Sequence, residues 1–323
     1  MIEINKKKID LWSNIGSRAT FGLATLEIEK KIKELFVITC DVSTSAGLDR
    51  FRKQIPEKFV DLGISEQNMI GVASGLSSEG FKVITTTFSP FQTLRCCEQI
   101  KVNLGYMKNK ITMVGLASGL VLGSLGYTHC SIEDIGVLRS IPNITIVSPA
   151  DSLEVVKALE ASFKHQNSVY IRLTGGSPNP QVYLEDYKFE IGKGVLLQKG
   201  EEVVIFASGS SVSQSLKAAE SLKTKGIKCS VVNMHTIKPI DEKIIISECE
   251  DKKIAISVEE HNVIGGLGSA VGEVLLKNNQ KIRFIKMGIQ DTYSKSGSYQ
   301  NLLDFFQINA EGISKKIIEN LKE

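Results

Sequence analysis

The sequence predicts an α/β protein of two domains, the first built on a parallel sheet covered on both faces. Three observations carry this. Short apolar runs rich in Val and Ile alternate with segments of helical spacing along all 323 residues. A break carrying two prolines and two glycines, Thr-Gly-Gly-Ser-Pro-Asn-Pro over 174–180, divides the chain. Hydrophobic content of 42% and charged content of 23% are those of a globular protein, and the length suits two domains.

The elements follow in order. Residues 13–33 read as a helix, with Ile15, Ala19, Leu23, Leu26 and Ile32 near helical spacing. Residues 36–40 are a buried strand ending at Asp41. A helix begins near Glu66, with Met69, Val72, Ala73 and Leu76 on one stripe. Residues 81–86 form a strand, Pro90 opens a helix through about 107, and Ile111–Leu116 is a strand. Glu133 opens a short helix, Ile144–Val147 is a strand, Asp151 caps a helix to Lys164, and 168–173 closes the unit. Beyond the break, Val203–Ala207, 229–232, 254–258 and 282–285 are strands with helices between them. Asn309 caps a last amphipathic helix ending at Leu321. Domains are expected at 1–180 and 192–323, with a linker over 181–191.

A net charge of +3 gives no ground for nucleic acid or an anionic membrane as partner. No apolar stretch reaches the ~20 residues that span a bilayer, and the N-terminus lacks a signal-peptide core. A cytoplasmic protein is expected. Cys40, Cys96, Cys97, Cys130, Cys229 and Cys249 lack metal or redox spacing and read as buried free thiols, with Cys130 a possible pocket residue because it follows His129. No metal constellation is present, nor a Walker or nucleophile-elbow motif. Gly-Gly-Leu-Gly over 265–268 reads as close strand–helix packing.

Chemistry concentrates in few places. Glu66 stands where a loop becomes an apolar helix; the helix dipole alone accounts for a carboxylate there. The downstream Thr-Phe-Ser-Pro-Phe run ends a strand with Phe88 and Phe91, where a flat ring stacks. His129 lies in a loop with Gly119, Gly123 and Gly126, and such loops approach ligands closely. His165 reads as a surface residue, and His235 and His261 as structural or subunit contacts.

These motifs, in this order and spacing, resemble the transketolase family. The resemblance covers nearly the whole chain and rests on Gly-Ile-Ser-Glu-Gln-Asn, Thr-Phe-Ser-Pro-Phe, Thr-His-Cys-Ser-Ile-Glu-Asp, Ile-Lys-Pro-Ile-Asp and Val-Glu-Glu-His-Asn-Val-Ile-Gly-Gly-Leu-Gly. It implies thiamine diphosphate as cofactor, with Glu66 bonded to N1′ of the aminopyrimidine and favouring the imino form that removes the C2 proton. Phe91 with Phe88 matches the aromatic wall, Asp41 and Ser45 the loop near cofactor and substrate, and His129 a histidine that meets substrate oxygens. Arg18 remains as an anion contact, and Cys130 borders the substrate position.

The family holds the diphosphate through Mg²⁺ (or Ca²⁺) and a Gly-Asp-Gly motif, which this sequence lacks. The resemblance therefore implies a pyrimidine-binding domain followed by a smaller mixed-sheet C-terminal domain. It also implies a partner subunit carrying Gly-Asp-Gly, an α₂β₂ assembly, and self-association through both domains. Three departures bear on substrate: Leu125 replaces a hydroxyl-reading aspartate, Gly175 an arginine and Ala117 a histidine. An unpaired sugar hydroxyl costs roughly 1–3 kcal/mol, so a standard sugar-phosphate pair is not expected. The leading reading is a carboligase moving a two-carbon ketol unit from ketose to aldehyde. The alternatives are a 2-oxoacid dehydrogenase β-type subunit, a pyruvate-using deoxyxylulose-phosphate-synthase-like enzyme, and a non-catalytic regulatory subunit.

Overall fold

The computed structural model describes residues 2–322; Met1 and Glu323, the outer ends of the two expected domains, lie outside the described residues. The first half supplies β1 (Leu35–Thr39), β2 (Phe59–Asp61), β3 (Lys82–Phe88), β4 (Ile111–Leu116), β5 (Ile144–Val147) and β6 (Ser168–Arg172). The second supplies β7 (Val195–Gln198), β8 (Val203–Ala207), β9 (Cys229–Asn233), β10 (Thr236–Lys238), β11 (Ile254–Asn262) and β12 (Arg283–Ile289). One sheet runs β10-β5-β6-β4-β3-β1-β2 and is parallel except for β10; the other runs β12-β11-β8-β9-β7 and is parallel except for β7. The expected α/β class, one mostly parallel sheet and one smaller mixed sheet, is what the chain forms.

The helices are α1 (Lys6–Glu29), α2 (Asp49–Gln54), α3 (Glu66–Ser78), α4 (Ser89–Gln92), α5 (Cys97–Gln99), α6 (Asp134–Arg139), α7 (Ser152–Lys164), α8 (Ser211–Lys223), α9 (Glu242–Cys249), α10 (Leu267–Lys277), α11 (Tyr299–Phe305) and α12 (Ala310–Leu321). β4, β5 and β6 are buried along their whole length, which is why they read as unbroken apolar runs. Phe21 and Ile28 of α1 and Leu153, Val156 and Leu159 of α7 cover one face of the large sheet. Met69 and Ala73 of α3 and Leu138 of α6 cover the other, in a core that continues into Val204, Phe206 and Leu267 of the second half. Asp151 and Asn309 cap α7 and α12 through Glu154 N and Gly312 N, as expected.

Four expectations need correction. The first helix starts at Lys6, not 13, and is interrupted at Gly16, whose φ of 81° only glycine adopts readily. The stretch 90–107 is not one helix: it comprises α4, the short α5 and a π-helical turn over Ile100–Tyr106. The strand expected at 254–258 continues through Glu259, Glu260, His261 and Asn262, all but Asn262 buried. His165 is not a plain surface residue, since it is half-buried with Nε2 2.8 Å from Thr145 Oγ1.

Residues 181–191 contain no helix or strand but are strapped down. Val182 N and Tyr183 N both donate to Asp151 Oδ2 at 2.9 Å, and the Tyr187 hydroxyl donates to buried Glu154. β10 then leaves its own half to pair with β5 of the large sheet.

Candidate functional site

The parallel strands β1, β3, β4 and β6 all end on one edge of the large sheet, where ligands of such sheets collect. From that edge rise Asp41 after β1, Phe88 at the end of β3, Ala117 after β4 and Gly175 after β6. Glu66 is the first residue of α3, where the unsatisfied N–H groups favour a carboxylate. It is 3% exposed, and Arg95 Nη1 donates to its Oε2 at 2.8 Å. That is the one hydrogen bond its carboxyl makes among the described residues. The Arg95 guanidinium also lies 4.0 Å from the Phe91 ring centroid, a cation–π contact.

Phe88, Phe91 and His129 form a triangle of rings, with centroids 6.4 Å apart for the two phenylalanines, 6.1 Å for Phe88–His129 and 5.5 Å for Phe91–His129. All three meet edge to face and are half-buried. His129 Nδ1 lies 3.0 Å from Thr128 Oγ1. The structure thus brings Glu66, Phe88, Phe91 and His129 together, through an arginine that sequence reasoning missed. Beside them is an open cleft of about 410 Å³ whose lining includes Phe91, Arg95, Thr128, Cys130, Glu133 and Tyr293. Cys130 is buried, and burial, with Glu260 and Glu133 nearby, pushes its thiol up to about 11.

Arg18 and Ser45 line a separate cavity of about 290 Å³ with Thr44, Val121, Gly175 and Ser177. Arg18 is the only charged side chain in that lining. Leu125, 57% exposed at the glycine loop, lines neither space. Asp41 is exposed with φ 58°, its N–H donating to Asp61 Oδ1 at 2.9 Å. Ala117, also at positive φ (50°), is a strained non-glycine position at the sheet edge.

Behind the rings runs a buried polar chain. Asp134 Oδ2 accepts from Arg172 Nε (2.8 Å), Tyr170 Oη (2.7 Å) and Ser89 Oγ (3.1 Å), and Ser89 begins α4 between Phe88 and Phe91. Burial works to raise the Asp134 pKa, but the Arg172 charge, His261 and the hydrogen bonds from Arg172 and Tyr170 together outweigh it, leaving the group below the usual carboxylate range. His261 is held neutral, its pKa lowered to about 4 chiefly by burial. The Gly265–Gly268 loop wraps onto the carboxylate of Glu259, which accepts from Leu267 N (2.6 Å) and Gly268 N (2.8 Å). No group of three or more His, Cys, Asp or Glu is arranged to hold a metal among the described residues. Nor is any helix among them long and apolar enough to cross a membrane.

Both halves of the chain match known domain families. The transketolase pyrimidine binding domain matches residues 13–179, and the transketolase C-terminal domain matches 192–313. A putative transketolase C-terminal section of Methanocaldococcus jannaschii is 36% identical, covering 95% of this chain and 97% of its own length. One of the subunits of an apulose-4-phosphate transketolase from Phocaeicola vulgatus is 35% identical over 96% of this chain and 98% of its own. A split-gene transketolase solved as an inactive beta4 tetramer superposes with a TM-score of 0.87 at 33% identity, covering 95% of this chain and 99% of that one. Matches to both domains over 13–179 and 192–313, on a fold that gathers Glu66, Phe91 and His129 at one sheet edge, show that this chain belongs to the transketolase family.

Proposed function

We propose that this chain is the pyrimidine-side subunit of a two-chain, thiamine-diphosphate-dependent carboligase that moves a two-carbon ketol unit from a ketose to an aldehyde. The single observation that carries the reading is the Glu66–Arg95–Phe91–His129 cluster. A buried carboxyl with Oε2 held and Oε1 without a hydrogen bond, next to half-buried aromatic rings, suits a flat heterocycle with a ring nitrogen. Thiamine diphosphate, when bound, supplies the carbanion chemistry. Glu66 Oε1 would be the group to hold a ring nitrogen of the coenzyme, with Arg95 fixing the carboxyl plane and Phe91 with Phe88 lining the ring site. The Thr128 hydroxyl and His129 Nδ1 share a hydrogen bond, and in the tautomer whose Nδ1 accepts, the Nε2–H is left to donate to a substrate oxygen.

The partner subunit supplies Gly-Asp-Gly and the Mg²⁺ or Ca²⁺, in an α₂β₂ enzyme joined through both domains of this chain. The domains of this chain divide near 180 and 192, and the exposed Asp41 would meet the coenzyme in that assembly. Six unpaired thiols suit the reducing cytoplasm. Arg18, the lone cation of its cavity, takes an anionic group of the substrate with Ser45. Leu125, Gly175 and Ala117 disfavour a standard sugar-phosphate pair. In the reconstituted two-chain enzyme, Glu66→Ala is expected to abolish ketol transfer, whereas Leu125→Asp improves use of xylulose 5-phosphate. An active Glu66→Ala enzyme, or efficient wild-type turnover of xylulose 5-phosphate with ribose 5-phosphate, defeats the corresponding half of the reading. Acylation of a lipoyl domain would identify the dehydrogenase alternative instead.

A further inference from the structure

The glycine loop carrying Leu125 and His129 is closed at its base by an antiparallel bridge, Gly119 N to Ser131 O at 2.8 Å and Ser131 N to Gly119 O at 3.0 Å. Glu260 of the other domain holds the Leu120 end of that base directly, and Arg172 ties the Ser131 end to the Glu260 main chain. Leu120 N donates to Glu260 Oε1 at 2.6 Å. Arg172 Nη2 donates to the Glu260 carbonyl (2.8 Å) and to the Ser131 carbonyl (3.0 Å). Glu260 Oε2 is itself fixed by Ser210 Oγ (2.5 Å) and Tyr299 Oη (2.7 Å). Gly119 lies at φ 71°, and a Cβ there would sit 2.2 Å from Glu260 Oε1, so the carboxylate fits only against glycine.

Contacts continue along the loop. Gly297 N donates to Gly123 O at 3.1 Å, the Tyr127 and Ser294 hydroxyls lie 2.9 Å apart, and the Tyr293 hydroxyl donates to Glu133 at 3.0 Å. A small apolar cluster joins Leu120, Cys130 and Ile132 to Ile289, Leu302 and Leu303. By contrast, Glu66, Arg95 and Phe91 are held within the first domain.

We propose that Glu260 is a positioning residue: through it the second domain sets the shape of the loop that presents His129 to substrate. The substrate end of the site is organised by one domain and the coenzyme end by the other. The kinetic part rests on the reading of His129 given above; the structural part does not.

Glu260→Asp withdraws the carboxylate from Leu120 by one methylene while keeping its charge. Tyr299→Phe removes one donor to Oε2 and leaves the Leu120 bond in place. In the full chain, alone and with its partner, amides of 119–131 are expected to exchange hydrogen about tenfold faster in Glu260→Asp. Those of α3 stay at wild-type rates, and Tyr299→Phe falls between. In the two-chain enzyme, kcat/KM falls about tenfold while the Kd for thiamine diphosphate stays within about twofold. Unchanged exchange over 119–131 overturns the proposal, as does acceleration spread equally to α3, or a coenzyme Kd that weakens in step with kcat/KM. If Glu260→Asp does not fold, Tyr299→Phe decides on the same comparison. If Glu66→Ala retains activity, the functional reading fails, and the exchange result still decides whether Glu260 holds the loop.

Discussion

Replacing Asp134 with alanine removes the only carboxylate bonded to Arg172 among the described residues. Asp134 is 0% and Arg172 2% exposed, so the freed guanidinium has no route to water and keeps only the carbonyls of Ser131 and Glu260. Tyr170 also loses this acceptor and is left with the Ser89 hydroxyl. Removing one partner of a buried pair costs about 3–5 kcal/mol, a large part of the ~5–15 kcal/mol that holds a typical domain together. Asp134→Ala with Arg172→Met removes both charges and is expected to recover about 2 kcal/mol relative to the sum of the single losses. The Asp134 pKa is lowered in the fold, so its contribution is fully present above the ordinary carboxylate value and fades as pH falls below it. Wild type therefore loses more stability than Asp134→Ala in strong acid. Urea unfolding of the chain, followed by circular dichroism and the fluorescence of buried Trp12, measures each quantity. An Asp134→Ala variant within about 1 kcal/mol of wild type at neutral pH would refute the reasoning.

Further outcomes follow from other residues. His129→Asn is expected to lower kcat/KM of the two-chain enzyme ~10²–10⁴-fold, the range of a lost proton donor, with the coenzyme Kd unchanged; kinetics and coenzyme titration of wild type and variant check it. Burial lowers the His235 pKa to about 3, against a smaller opposing pull from Asp241, so stability falls as pH drops from the ordinary histidine value toward that point. The melting temperature of wild type should fall relative to that of His235→Gln as pH drops across that window, and a constant difference disproves the assignment. Burial pushes the Cys40 thiol up to about 11, and Cys96, Cys229 and Cys249 to about 12, while Cys97 alone of the six is partly exposed. Iodoacetamide on the native chain should modify Cys97 first, and mass spectrometry reads the order.

Sequence patterns located what depends on local spacing. Ile111–Leu116, Ile144–Val147 and Val203–Ala207 are strands over the residues expected, because each is buried along its length and therefore continuously apolar. β11 runs past Val258, where pattern alone ends it, since two glutamates and a histidine follow. Those groups are buried because partners from distant segments meet them: Leu267 and Gly268 for Glu259, Leu120 and Tyr299 for Glu260, Gly136 for His261. No periodicity announces such partners. β7 and β10 escape sequence reasoning for a related reason: β7 is only half-buried, and β10 is three residues long and pairs outside its own half. At the site, Glu66, Phe91 and His129 are legible as motifs. Arg95 stands four residues after Phe91, but its second partner, Glu66, lies 29 residues earlier, and a continuous helix over 90–107 gives no reason to connect them.

The antiparallel visit of β10 to the large sheet makes the stretch near residue 180 a poor place to cut. A fragment ending there would leave β5 with a bare flank of unsatisfied N–H and C=O groups, ready to recruit a strand from a neighbouring copy. Expressed alone, the first half should clump, whereas supplying the second half as a separate chain during refolding should suppress it. The two halves are in this sense clasped by a borrowed strand, and their independence in sequence is not independence in production.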